Sequence, residues 1–201
     1  MAFLLLILTF LVLINIPESK RECRTEHFVF KYSRSIDTVK IKSLSKALET
    51  NYSKISSHLK TIPAENIEVN VYAHRWRYVK ATGNWTASGS IEGTSKLHFV
   101  EHALGESNSG KVAVHEFTHA VVLKLLLDIE PQTADPKAFN QKFKSFPIWL
   151  WEALSVYEAG QFVDPKSLTY LNKGQYPSGG KIYDYRIYFN HFQTRQINSA
   201  H

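Results

Sequence analysis

The stretch from Lys111 to Asp128, KVAVHEFTHAVVLKLLLD, constrains the fold more than any other part of the chain. Val112, Ala113, Val114, Phe117, Ala120, Val121 and Val122 occupy every side of a helix drawn at about 3.6 residues per turn. A helix that is apolar all round is buried, so other elements must pack around this one. Ser107, Asn108 and Ser109 offer N-caps, and Pro131 marks where the helix must have stopped. Yet the middle of the run holds His115, Glu116 and His119. Burying an unpartnered polar group costs roughly 2–7 kcal/mol, and an unpartnered charge more, so each of the three needs a fixed partner.

Residues four apart share one helical face, so His115 and His119 present two imidazoles to one point. Zinc accepts imidazole nitrogen at about 2.0–2.1 Å, and two such rings make half of a tetrahedral site. Glu116 lies beside them, placed to take a proton from water on the metal. This is the H-E-x-x-H spacing of zinc peptidases. A third ligand is then required. A metzincin continuation would add a glycine and another histidine, and Ala120 to Asp128 contain neither. Asp128 and Glu130 stand about two turns or more along the axis from His119. Glu152 is the better candidate: it sits in an apolar helix among Trp149, Leu150, Trp151, Ala153, Leu154 and Val156, 33 residues beyond His119, enough for a loop and an antiparallel return. Glu158, beside Gly160 at the helix end, is expected in solvent. The competing reading is a metal-free core in which the histidines bond to backbone carbonyls.

The rest of the chain reads as α+β. HFVFKY (27–32) alternates, with Phe28, Phe30 and Tyr32 on one face of a half-buried strand. Asp37 to Lys60 carries Ile41, Leu44, Leu48, Tyr52, Ile55 and Leu59 at spacings of three and four, which predicts an amphipathic helix. NIEVNVY (66–72) alternates again, with Ile67, Val69 and Val71 inward. The Gly- and Ser-rich segment 81–100 reads as one or two strands with Leu97 and Phe99 facing in. A helix opened by Pro147 and ended by Gly160 follows, then two shorter helices around 167–172 and 185–193. The architecture expected is a small N-terminal sheet with an amphipathic helix, then a helical lobe in which the His-bearing helix faces the Glu152 helix.

Composition bounds the remaining questions. At 201 residues, 44% hydrophobic and 13% aromatic, the chain suits one domain with a real core. The net charge of +6 comes from scattered lysines, a solvated surface and not a nucleic-acid footprint. Residues 2–16 are almost continuously apolar and end at Pro17. They are shorter than the roughly 20 residues of a spanning helix and fit a signal peptide or short anchor. The division expected is a leader over 1–25 and a single domain over 26–201, secreted or membrane-anchored and extracytoplasmic. Cys23 is the single cysteine, so no intramolecular disulfide forms. Asn51-Tyr52-Ser53 and Asn84-Trp85-Thr86 are glycosylation sequons. The oligomeric state is open.

VAVHEFTHAVV followed by PIWLWEALSVYEAG resembles the gluzincin metallopeptidases, in particular the small peptidase-MA-like domains, which pair H-E-x-x-H with P-x-W-L-x-E-G-x-A-x-Y. The likeness extends to HFVFKYS, the amphipathic helix and IEVNVYA. Ala153 stands where such domains usually have glycine, and Ser155 where they usually have alanine. The resemblance implies a zincin-like fold in which His115, His119 and Glu152 hold zinc, with Glu116 as the general base of peptide-bond hydrolysis. It implies a peptide or protein substrate, paired with an edge strand ahead of the zinc helix. It also implies a downstream donor to the oxyanion, for which KIYDYRIYF points to Tyr183, with Tyr185, Tyr188 and His191 as alternatives. A zinc-binding but non-catalytic ectodomain, serving binding or sensing, is the alternative function.

Overall fold

The elements that carry the site follow directly from residue pattern. In the computed structural model, which describes residues 19–104, 109–129 and 148–161, five strands and four helices are present among the described residues. They are β1 (Lys20–Arg24), β2 (Phe28–Ser33), α1 (Thr38–Leu59), β3 (Ile67–Tyr72), α2 (Arg75–Thr82), β4 (Gly89–Glu92), β5 (Lys96–Val100), α3 (Ser109–Ile129) and α4 (Ile148–Glu158). None of these helices is long and apolar enough to cross a membrane. The apolar run 2–16, the helices expected around 167–172 and 185–193, and Tyr183, Tyr185, Tyr188 and His191 lie outside the described residues.

The strands form one mixed sheet in the order β1-β2-β3-β5-β4. The central three are parallel, while β1 and β4 pair antiparallel at the two edges. Parallel pairing needs crossovers. The crossover from β2 to β3 is α1, whose N-cap Asp37 accepts the Val39 N–H at 2.9 Å. Its buried residues, Ile41, Leu44, Leu48, Tyr52 and Ile55, are the stripe expected from sequence. At about 1.5–3 kcal/mol for each buried side chain, that stripe outweighs the tenths of a kcal/mol that separate helix propensities. Packing, not propensity, holds α1.

Two features of the sheet depart from the sequence reading. β2 is buried on both faces, with Phe28, Val29, Phe30, Tyr32 and Ser33 all inaccessible, because it lies inside the sheet with parallel β3 on one side. Lys20–Arg24, for which no strand is expected from sequence, pair with β2, Cys23 opposite Phe30. The boundary expected at residue 25 thus falls at the end of a paired strand. The short α2 carried no strong signal: His74 makes no side-chain cap bond and only Tyr78 and Val79 are buried.

Alternation along the strands sorts the two faces. Phe28, Phe30, Ile67, Val69, Val71, Ile91, Leu97 and Phe99 point to the core shared with α1, α3 and Trp151 of α4. At its centre Phe117 of α3 meets Phe28 edge-on at 5.4 Å and stacks with Tyr52 of α1 at 5.8 Å. The opposite face carries α2 and a small cluster of Tyr72, Tyr78, Val79 and Val100. As expected for a helix apolar all round, α3 buries Ala113, Val114, Phe117, Thr118, His119, Ala120, Val121, Val122 and Leu123. Of the sequons, Asn51 lies within α1 and donates to the Ala47 carbonyl at 2.8 Å, while Asn84 sits in the loop after α2.

Candidate metal centre

Helical periodicity places His115 and His119 on the side of α3 that meets α4, and the 4.6 Å separation of their ring centroids follows from it. Their Nε2 atoms stand 3.0 Å apart. Across the seam, α4 presents Glu152, whose Oε2 is 3.4 Å from His115 Nε2 and whose Oε1 is 3.7 Å from His119 Nε2. Trp151, the neighbour of Glu152, stacks on the His119 ring at 4.6 Å and 11°. That contact fixes the ring plane within the core.

The three groups fit a zinc ion by donor set and by spacing. Two imidazoles and a carboxylate are a catalytic-type zinc set, with one position left over. Two donors each about 2.0–2.1 Å from a tetrahedral ion stand about 3.3 Å apart; the two Nε2 atoms are 3.0 Å apart, and one Glu152 oxygen lies 3.4 Å from His115 while the other lies 3.7 Å from His119. His119 is buried and His115 half-buried, while the Glu152 side chain keeps 36% of its surface, so the open side of the cluster lies at the carboxylate. Among the described residues, this is the one grouping of three His, Cys, Asp or Glu side chains with ligand-like spacing.

Glu116 does not join the ligands. It points toward the edge strand, where Gly89 leaves it room: a Cβ on residue 89 would lie 2.7 Å from Glu116 Cγ and 2.9 Å from Oε1. Burial pushes the Glu116 carboxyl up to about 7; the charge of His115 pulls it down and that of Glu152 adds to the rise. Burial also pulls on the two histidines. It drives His119 well below the ordinary histidine value, helped by the charge of His115. At His115 burial is outweighed by the neighbouring Glu152 and Glu116 carboxylates and by Gln161, and the net shift is upward.

Glu158 is not in solvent. Its carboxylate is buried, 2.8 Å from His58 Nδ1 and 3.4 Å from Lys54 Nζ, and so ties α4 back to α1. Proximity to a helix end suggested exposure, but the C-terminal turn of α4 lies against α1, which only the tertiary packing could reveal. Three further residues border the site. Gly89 belongs to a Gly-rich stretch that reads equally as an ordinary hairpin. Ser155 bonds to His119 Nδ1 at 2.8 Å, and Gln161 to His115 Nδ1 at 2.9 Å. The three-residue spacing of Glu152 and Ser155 could have flagged the first; nothing in sequence flags Gln161, which lies beyond the helix.

The chain matches no protein-family model, no curated protein and no solved structure.

Proposed function

We propose that the chain is a zinc-dependent metallopeptidase of the gluzincin type, zincin-like in fold, and exported or anchored through residues 2–16. The observation that carries the reading is the convergence of Glu152, from a separate helix, on two imidazoles four residues apart. A mixed sheet with an antiparallel edge strand beside the His-bearing helix is consistent with it.

In this reading His115, His119 and Glu152 hold the metal. Zinc, when bound, supplies Lewis acidity that makes a water acidic near neutrality and polarises a carbonyl. Glu116 is the proton carrier: a carboxylate beside the water can take its proton and return it to the departing amine. Gly89 holds β4 close against Glu116, and β4 has no strand on its outer side among the described residues. An extended peptide adding to that edge would be gripped through main-chain hydrogen bonds, with its scissile bond near Glu116. Tyr183 is the residue proposed to donate to the oxyanion.

Purified protein should contain one zinc per chain and hydrolyse members of a mixed peptide library. A wild type that binds zinc but cleaves nothing would assign the chain to the non-catalytic binding or sensing class. A wild type that binds no zinc would remove both readings.

A further inference from the structure

The two imidazoles are held from behind by α4 as well as faced by it. Ser155, fully buried, has its Oγ 3.3 Å from the Trp151 carbonyl and 2.8 Å from His119 Nδ1. A hydroxyl has one proton, and a carbonyl can only accept. That proton goes to Trp151, so Ser155 Oγ accepts from His119 Nδ1–H. On the other ring, Gln161 Oε1 stands 2.9 Å from His115 Nδ1 and, as a carbonyl oxygen, can only accept as well. Gln161 is brought there by the end of α4: Gly160 turns the chain at φ 59, and the Gln161 N–H bonds back to the Val156 carbonyl at 3.0 Å.

A neutral imidazole has a single N–H. With both protons committed to Nδ1, both Nε2 atoms present lone pairs, 3.0 Å apart and facing the Glu152 carboxylate. Three electron-rich atoms aimed at one point are mutually repulsive until a cation sits among them.

We propose that Ser155 and Gln161 are positioning residues that fix the tautomers of His119 and His115 and thereby set the affinity of the site for zinc. The inference rests on the zinc reading above and adds to it that one helix supplies both the third ligand and the support for the other two. Outer partners of metal-bound histidines typically contribute 10–100-fold in metal affinity.

The test uses the full chain and two readouts. Zinc affinity is measured by chelator competition, and the ring tautomers of the metal-free protein by nitrogen NMR of labelled histidine. Wild type should place the proton of neutral His119 on Nδ1. Ser155→Ala, which leaves a buried N–H without an acceptor, should move it to Nε2 and weaken zinc binding about 10–100-fold. Gln161→Leu should do the same at His115. Gln161→Glu, which keeps an acceptor, should bind zinc at least as tightly as wild type. Variants that keep wild-type zinc affinity and wild-type tautomers overturn the proposal, even if their melting temperature falls. Equal zinc affinity in Gln161→Leu and Gln161→Glu also overturns it. Should Ser155→Ala not fold, the Gln161 pair at the half-buried helix end decides alone. Absence of zinc from wild type would overturn the zinc reading instead, and the tautomer measurement would still judge the role of Ser155 and Gln161.

Discussion

The back of the sheet and the seam between α3 and α4 each bury a histidine, and they satisfy it in opposite ways. His98, on β5, accepts from the Tyr72 hydroxyl at 3.0 Å through Nδ1 and donates to Glu92 at 3.2 Å through Nε2. Glu92 in turn accepts from Lys96 at 2.8 Å, and beside it Glu68 pairs with Lys31 and accepts from Asn70 at 2.8 Å. Each nitrogen of the His98 ring thus has its own protein partner. His119 has one fixed partner, Ser155; its other nitrogen is aimed at His115 and Glu152. Both rings are buried and both are pulled below the ordinary histidine value. His98 is a finished hydrogen-bond network, whereas His115 and His119 turn their second nitrogens toward each other and toward Glu152. Two equally buried histidines thus differ in where their second nitrogen points.

The sharpest way to break this contrast is to remove one ring from each region. His115→Ala or His119→Ala should abolish stoichiometric zinc binding, measured by metal analysis, while His98→Ala should keep the zinc and lose stability instead. Tyr72 and Glu92 would each lose a hydrogen bond, at about 0.5–1.5 kcal/mol apiece, read by denaturant unfolding. Zinc lost from His98→Ala as readily as from His115→Ala would erase the distinction.

Next in size, Glu116→Gln should retain zinc and reduce peptide hydrolysis by about 10²–10⁴-fold, the usual contribution of a positioned acid–base group. Hydrolysis at the wild-type rate would remove Glu116 from the proton pathway. Gly89→Ala should also lower hydrolysis with zinc retained, because the new methyl would overlap Glu116 and push it aside. Overpacking of this kind typically costs about 1–3 kcal/mol. A hydrolysis rate that is unaffected would show that Glu116 needs no fixed position.

The smallest effect concerns pH. Burial lowers the His98 pKa against the opposing pull of Glu92, so the unfolded chain takes up that proton first as pH falls. Stability present above the unfolded value of about 6.5 is therefore lost progressively below it, until the folded value is passed. In metal-free protein, the melting temperature should fall from about pH 7.5 to about pH 5, and His98→Gln, which can still bond both partners, should flatten part of that slope. A slope unchanged in the variant would mean that His98 does not titrate on unfolding.

Much of this was legible from residue order because local periodicity carries it. The buried face of α1, the inward sides of β3 and β5, the burial of α3 and the end of α4 at Gly160 all follow from apolar spacing and glycine placement. So does the choice of His115, His119 and Glu152, since polar groups in apolar helices demand partners. What was missed has a common cause. β1 is a mostly exposed edge strand with little apolar pattern, α2 is short and poorly capped, and Glu158 is buried only because another helix lies over it. Each depends on neighbours distant in the chain.

The sequence alone determined that a buried helix would carry two imidazoles and a carboxylate on a short repeat, because helical geometry is local and burial of such groups is too costly to leave unanswered. Only the tertiary structure decided what answers them. Glu152 comes within 3.4 and 3.7 Å, Ser155 and Gln161 bind the far nitrogens, and Gly89 admits Glu116 beside the edge strand, because the angle and depth at which α4 and β4 pack on α3 are set by the whole core.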